Sequence, residues 1–299
     1  MLRGAFMRAA FQEIVDYAGL FPPASCSMED AVQNYDSYLR SADRWMLGRF
    51  VVAASRLEEL GAAVAARDMH VDPAEPWRLS AVMGAHVPNE MARITAFHRE
   101  WQRRGVVVDA VEIKVTSVGQ VTTLGEQIPH TLQRYFEVPH QGPYGPLVAA
   151  IGAIGGFAKV RTGGTTPEAF PAARTVAEFI AAAVEHRVAF KATAGLHHPF
   201  GGSYPLTYAH GAPRHAMFGF VNLLLATAAL RRGATLAEAA AMLGEQDNGA
   251  FRQDIATITW RGEHFTVAEL TATRQEYFTA FGSCSFREPV DELGLGATA

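Results

Sequence analysis

The stretch GFAKVRTGG, residues 156–164, places a lysine and an arginine two positions apart in an apolar run that ends in two glycines. A second lysine stands in an equally apolar run further along the chain, in AFKATAGLHHP, residues 189–199. Both runs are short and lie between helical patterns, which is typical of strands that alternate with helices in a parallel sheet. We therefore expect Lys159, Arg161 and Lys191 on neighbouring buried strands.

The same alternation extends over most of the chain. Short apolar runs predict strands at 18–21, 50–54, 79–83, 110–115, 135–138, 157–161, 189–193 and 218–222. Helices are predicted between them, and Ser27, Pro88 and Thr165 mark three of their starts because they are capping or first-turn residues. Strands that are each followed by a helix favour an α/β fold, the (β/α)8 or TIM barrel, as a single domain over residues 1–299.

The end of this pattern is open to two interpretations. Residues 216–231 are predicted either as a strand followed by a helix or as one buried helix, and hydrophobic periodicity does not decide between them. Residues from about 233 onward contain further helical patterns and are expected to form a C-terminal helical extension of the barrel. The Gly-, Pro- and His-rich residues 195–213 are expected to form a loop over the barrel mouth.

Composition and charge favour a small-molecule partner. The chain has a net charge of −4, and its basic residues are scattered, so neither nucleic acid nor an anionic membrane is expected to bind. Two distant cysteines do not make a disulfide framework. Acidic residues interrupt the apolar N-terminal run too early for a signal peptide, so a cytoplasmic location is expected. The sequence leaves the oligomeric state open, and a homo-oligomer is compatible with it.

Charged side chains are predicted inside the barrel. Because side chains alternate across a strand, four neighbouring strands direct these residues inward: Glu112 and Lys114, Tyr135 and Glu137, Lys159 and Arg161, Lys191 and Thr193. Burying an unpaired charge costs several kcal/mol, so these groups must pair with one another or serve chemistry. They could form a purely structural network. Two clustered lysines also have a chemical use, because an ammonium group lowers the pKa of a neighbouring amine and leaves it nucleophilic.

The order of these motifs resembles that of a known family. FAKVRTGG and FKATAGL are similar to the sixth and seventh strands of deoxyribose-phosphate aldolase, a class I aldolase with a (β/α)8 barrel, whose patterns are F-I-K-T-S-T-G and F-K-x-A-G-G. RLSAVMGAHVPNE, DAVEIKV and YFEV resemble its preceding strands, so the likeness covers roughly residues 78–196. Because the motifs are short, the resemblance is at the level of the superfamily, and a separate bacterial family within it stays open. The resemblance implies Lys159 as the Schiff-base lysine, Lys191 as the neighbour that lowers its pKa, and Glu112 in proton transfer.

The departures from that family bear on the substrate. The family's phosphate-binding glycines are replaced by GLHHP and FGFVNLL, which puts a phosphorylated substrate in doubt. Arg161 replaces a small hydroxylic residue and could bind a carboxylate, or it could form a salt bridge with Glu137. We therefore expect a small anionic oxo-acid or hydroxy-acid, no cofactor and no metal. The residues expected to bind it are Lys114, Glu137, Arg161, Thr162, Gly163, Gly164, Thr193, His197 and His198.

Two other functions stay open from the sequence. His197 or His198, together with Glu112, Glu137 or His140, could form a divalent-metal site of a hydrolase, lyase or isomerase. The histidines could equally anchor the loop. The barrel could also be a non-catalytic binder of a metabolite. The stretch DYAGLFPPA, residues 16–24, is expected to form the first strand and a turn, from which Asp16 or Tyr17 could approach the site.

Overall fold

The computed structural model describes residues 7–67, 71–72, 74–254 and 256–294. Within these residues, eight parallel strands form a closed barrel. They are β1 (Val15–Tyr17), β2 (Leu47–Ala53), β3 (Trp77–Val82), β4 (Val106–Lys114), β5 (Gln133–Glu137), β6 (Phe157–Arg161), β7 (Phe190–Thr193) and β13 (Phe278–Ser283). Around the barrel they follow one another in the order β1-β13-β7-β6-β5-β4-β3-β2. The predicted (β/α)8 barrel is thus confirmed.

Helices connect the strands and pack around the barrel. They are α1 (Met28–Leu39), α2 (Leu57–Ala66), α3 (Val87–Trp101), α4 (Val118–Gln127), α5 (Gly145–Ala153), α6 (Ala173–Glu185), α7 (Phe220–Arg231), α8 (Leu236–Leu243), α9 (Val267–Glu276) and α10 (Arg287–Leu293). Ser27 caps α1 by accepting a hydrogen bond from the Asp30 amide. Thr165 does not start a helix: a short 3₁₀ turn, Pro167–Ala169, follows it and α6 begins at Ala173. No helix in the described ranges is long and apolar enough to cross a membrane.

Short antiparallel strands lie outside the barrel. The loop expected at residues 195–213 contains β8 (Gly202–Pro205), which pairs with β9 (Arg214–Met217) in a hairpin. A three-stranded sheet follows α8 and consists of β10 (Phe251–Gln253), β11 (Thr257–Trp260) and β12 (Glu263–Thr266). The C-terminal part of the chain therefore adds further elements to the barrel.

The prediction of a barrel strand at residues 218–222 is wrong. Helix α7 occupies this region, and every residue from Phe220 to Ala229 is buried. A helix that is buried on all sides has no polar face, so its sequence lacks the period that distinguishes a helix from a strand. The eighth barrel strand is instead β13, which pairs with β1 and β7. It lies inside the segment that we expected to be an extension of the barrel.

The strand register brings the charged positions to one level. Lys114 pairs with Glu137, Glu137 with Lys159, and Lys159 with Lys191 across β4, β5, β6 and β7. These positions lie at or near the carboxyl ends of their strands. Parallel strands end at the same edge of a barrel, which is where the active sites of such barrels are built.

Candidate functional site

A cavity of about 340 Å³ opens at the carboxyl ends of the barrel strands. Seven of the eight side chains that strand alternation directs inward line it: Glu112, Lys114, Glu137, Lys159, Arg161, Lys191 and Thr193. Gly164 and His197 line it as well, together with Cys284 and the turn formed by Phe21, Pro22 and Pro23. The cavity is within the size range of small-molecule sites.

Lysine is confined to this cavity. The 299-residue chain contains three lysines, Lys114, Lys159 and Lys191, and all three line the cavity. The chain has 26 lysines and arginines in total, and all of the others are arginines. A guanidinium group stays protonated in proteins, whereas a lysine amine can lose its proton and act as a nucleophile. The distribution therefore places every side-chain amine of the chain at one site.

Two of the lysines share a carboxylate. Lys159 Nζ lies 2.6 Å from Glu112 Oε2 and 2.7 Å from Glu137 Oε2. Lys191 Nζ lies 2.7 Å from Glu112 Oε1 and also pairs with Asp16. The Ser80 hydroxyl donates a hydrogen bond of 2.7 Å to Glu112 Oε1. Glu112 thus bridges the two amines with one oxygen each.

The carboxylates determine the charge of this cluster. Burial opposes ionisation of Glu112, but the two ammonium groups outweigh it and hold the pKa of Glu112 well below its usual range. Burial also favours the neutral form of Lys191, but Asp16 and Glu112 outweigh it and raise the pKa of Lys191 above its ordinary value. Lys191 is therefore held as an ammonium ion. The two amines do not face each other unscreened, as the sequence argument assumed, because acids lie between and beside them.

The two amines differ in their surroundings. Lys191 is 1% exposed, its partner Asp16 is also 1% exposed, and its Nζ lies 5.1 Å from the centre of the Tyr135 ring. Lys159 retains 5% exposure. Lys114 is the outermost of the three lysines: its side chain is 78% exposed and its Nζ lies 4.0 Å from Glu137 Oε1. Lys159 combines enclosure with access to the cavity.

The turn after β6 is only partly directed at the cavity. Arg161 lines the cavity, and among the described residues it has no carboxylate partner, so the salt bridge with Glu137 is not formed. Thr162 is buried, donates its hydroxyl to the Ala194 carbonyl at 2.6 Å and does not line the cavity. Gly163 packs against Phe170, whereas Gly164 lines the cavity. Arg161, at the end of β6, and Gly164, in the turn after it, are the residues of this segment that can meet a bound molecule.

The two histidines lie in different surroundings. His197 lines the cavity, and its Nδ1 lies 3.3 Å from Glu288 Oε2. His198 does not line this cavity: its Nδ1 lies 2.8 Å from Glu292 Oε2, and its ring stacks on Tyr204 at 3.4 Å. In the part of the chain that the structure describes, no group of three or more His, Cys, Asp or Glu side chains is arranged to hold a metal ion. The structure does not bring together the ligand set on which the metal-site interpretation depended.

Several residues of the site were underestimated or missed in the sequence. The strand predicted at 18–21 is displaced, because β1 ends at Tyr17; Asp16 lies on β1 and was named only as a residue that could approach the site. Ser80 lies on β3 at the position paired with Ala110 of β4, and only the fold brings it to Glu112. Cys284 and Glu288 belong to the C-terminal part of the chain, which the sequence did not connect with the barrel mouth. An acid at the centre of a short apolar strand was the available signal for Asp16.

Comparisons with known proteins add little to this geometry. No family model matches the chain, and no curated protein matches it. Among solved structures, the chain is similar to the spore cortex-lytic enzyme SleL of Bacillus cereus, with a TM-score of 0.40 and 11% sequence identity. The match covers 96% of this chain and 74% of that chain. A likeness at this level carries no argument about function, so the functional argument depends on the site itself.

Proposed function

We propose that this protein is a lyase of the class I aldolase type, which binds a small carbonyl compound as a Schiff base on Lys159. One observation carries the proposal: the chain's three lysines all lie at the barrel mouth, and two of them share one buried carboxylate. An amine is the group that condenses with a carbonyl, and no arginine can replace it. A purely structural ion network would not require this restriction to lysine.

Lys159 is the nucleophile in this proposal because of its surroundings. Lys191 is enclosed at 1% exposure between Asp16 and Glu112 and stays protonated. Lys159 is 5% exposed and adjoins the cavity. Lys114 is too exposed for water to be excluded from its amine. The resemblance of the sequence to deoxyribose-phosphate aldolase assigns the same residue.

The condensation is balanced in atoms and charge. The Lys159 ammonium gives one proton to Glu137, 2.7 Å away, and the amine lone pair forms the bond to the carbonyl carbon. The π electrons of the carbonyl move to its oxygen, which takes up one proton from the nitrogen of the adduct and one from Glu137 and leaves as water. The product is an iminium ion with one remaining N–H. In this scheme Glu112 holds Lys159 and Lys191 in place, since both of its oxygens are occupied.

The substrate in this proposal is a small oxo-acid. Arg161 faces the cavity without a carboxylate partner in the described residues, and a guanidinium group binds a carboxylate through two parallel hydrogen bonds. Lys114 adds a further cation at the same opening. A cavity of about 340 Å³ admits a molecule of a few carbon atoms and leaves room for a second reactant.

Reductive trapping tests this function. Purified protein is incubated with pyruvate, reduced with sodium borohydride, digested and analysed by mass spectrometry. With three lysines in the chain, the site of any adduct is assigned without ambiguity. We expect the adduct on Lys159 and none in Lys159→Arg, which keeps the positive charge but has no nucleophilic amine. Wild-type protein without an adduct, or with one confined to Lys114, would refute the proposal.

A further inference from the structure

His197 connects the cavity with the C-terminal helix. It lies in the segment after β7, and its Nδ1 is 3.3 Å from Glu288 Oε2 on α10 and 3.3 Å from the Ser283 hydroxyl. The Tyr208 hydroxyl donates a hydrogen bond of 2.9 Å to the same carboxylate oxygen of Glu288. A second cavity of about 290 Å³, next to the β8–β9 hairpin, is also lined by His197. The ring therefore borders two cavities, and Glu288 and Ser283 hold its Nδ1 side.

Among the described residues, none makes a hydrogen bond with His197 Nε2, the other nitrogen of this ring. Nε2 is not among the buried side-chain atoms that lack a partner, so it stays accessible to solvent or to a bound molecule. When Nδ1 donates to Glu288, the free Nε2 is the nitrogen that can exchange a proton with a molecule in the cavity.

The charge of His197 is suited to proton donation. Burial alone would lower the pKa of His197, but Cys284, whose Sγ lies 3.8 Å from Nδ1, and the Glu288 carboxylate outweigh it and raise that pKa to about 9. The ring is then an imidazolium ion at neutral pH, and Nε2 carries a hydrogen that no described residue accepts.

We propose that His197 is the general acid of the site, which protonates the oxygen of the carbonyl that Lys159 attacks, and that Glu288 is its positioning residue. This inference rests on the proposed function. As the amine forms the C–N bond, the carbonyl π electrons move to oxygen, which takes the proton from Nε2. The nitrogen of the resulting adduct then returns one proton to the neutral imidazole. The proton held by Glu137 protonates the hydroxyl group, which leaves as water and restores the Glu137 carboxylate.

The carboxylates of the cluster are less suited to this role. Both oxygens of Glu112 are bound to lysines, and its pKa is held well below its usual range by the two ammonium groups, which outweigh burial, so it carries no proton to donate at neutral pH. Glu137 already takes the proton of Lys159. Of the described residues that line the cavity, His197 is the only histidine. An imidazolium ion donates a proton readily to a developing alkoxide.

The test measures the rate of adduct formation. Protein and pyruvate are mixed at several pH values, quenched with borohydride at timed intervals, and the Lys159 adduct is quantified by mass spectrometry. Removing a general acid typically costs 10²–10⁴-fold in rate, so we expect His197→Gln to slow adduct formation about 100-fold at pH 7. The end-point adduct still forms in this variant because Lys159 is intact.

The pH profile separates proton donation from a structural role. The ratio of the wild-type rate to the His197→Gln rate should be constant at neutral pH and fall towards one as pH rises through about 9, since His197 then loses its proton. The groups that face His197 are Glu288, Cys284 and Ser283, with Tyr208 hydrogen-bonded to Glu288 and the His198–Glu292 pair beside it. Glu288→Gln should move the fall to lower pH, and Glu292→Gln, the matched control, should not.

Each result bears on a different statement. Wild-type protein without a Lys159 adduct would overturn the Schiff-base function and this inference together. An adduct that forms as fast in His197→Gln as in wild type would overturn the role of His197 alone. Should His197→Gln fail to fold by circular dichroism, Glu288→Gln decides: an unchanged pH profile in that variant would overturn the proposal.

Discussion

Glu112 holds the charge cluster together, so its replacement by glutamine is the most informative perturbation of the fold. The side chain is 2% exposed, and its two oxygens lie 2.6 Å from Lys159 Nζ and 2.7 Å from Lys191 Nζ. Glutamine has nearly the same volume, so the packing is kept. Its amide replaces one acceptor by a donor and removes the negative charge between two ammonium ions.

The magnitude follows from the number of partners that remain. Removing one member of a buried ion pair costs about 3–5 kcal/mol. Each lysine keeps a second carboxylate, Glu137 for Lys159 and Asp16 for Lys191, so we expect the lower end of this range, about 3 kcal/mol. Glu59 provides the matched control, because its pair with Arg56 lies on the surface with Glu59 49% exposed. Glu59→Gln should cost less than about 1 kcal/mol.

The effect should depend on pH in a defined direction. The folded pKa of Glu112 lies below its unfolded value of about 4.3, because the two ammonium groups outweigh burial. The ionised group therefore stabilises the fold fully above about pH 4.3, and this stabilisation is lost as pH falls towards the folded pKa. The free energy of unfolding of Glu112→Gln should be about 3 kcal/mol lower than that of wild type at pH 7, and this difference should become smaller below about pH 4.

Denaturant unfolding measures this difference. The free energy of unfolding is obtained for wild type, Glu112→Gln and Glu59→Gln at pH 7 and at several lower values. A loss in Glu112→Gln no larger than that in Glu59→Gln would show that the shared carboxylate does not hold the cluster together. A difference from wild type that stays constant down to pH 3 would contradict the depressed pKa of Glu112.

Three further predictions concern the cavity. Arg161→Ala should raise the pyruvate concentration for half-maximal adduct formation about 10- to 100-fold, which is the equivalent of one charge-assisted hydrogen-bond pair. The corresponding concentration of acetaldehyde, which is neutral, should not change, and equal effects on both compounds would show that Arg161 does not bind the anion. Saturating pyruvate should slow alkylation of Cys284, which lines the cavity, but not of Cys26, as peptide mass spectrometry would show. Glu137→Gln should slow adduct formation at least 10-fold because Glu137 takes the proton of Lys159. Asp16 contacts Lys191 instead, so Asp16→Asn should slow adduct formation less than threefold, and equal slowing in the two variants would mean that the total charge of the cluster sets the rate.

The sequence predicted the barrel because its strands are short and strongly apolar. The predicted runs at 157–161 and 189–193 coincide with β6 and β7 to within one residue. Prediction of the last strand failed for a physical reason: α7 is buried on every side, and a uniformly apolar run fits either a strand or a helix. The strand that closes the barrel, β13, lies beyond three further helical or sheet segments, where local pattern gives no information about pairing.

For the site, strand alternation was sufficient to bring Glu112, Glu137, Lys159 and Lys191 to one cavity. Strand alternation could not show which charged side chains form ion pairs. Lys191 pairs with Asp16, and these two residues lie on the seventh and first strands, which are distant in the chain. The scarcity of lysine was visible in the sequence and was not used. Together with the alternation, it is a sequence signal for amine chemistry.

A nucleophilic amine held by carboxylates presents a chemical difficulty, because each acid stabilises the unreactive ammonium form. The iminium ion that the reaction forms carries the same single positive charge as the ammonium ion it replaces. Glu112 and Glu137, 2.6 and 2.7 Å from Lys159 Nζ, therefore stabilise the reactant and the product alike. What they oppose is the brief neutral amine between these states. A proton that moves only to the adjacent Glu137 keeps the total charge of the cluster constant during that step, and this is why the acids are compatible with the chemistry.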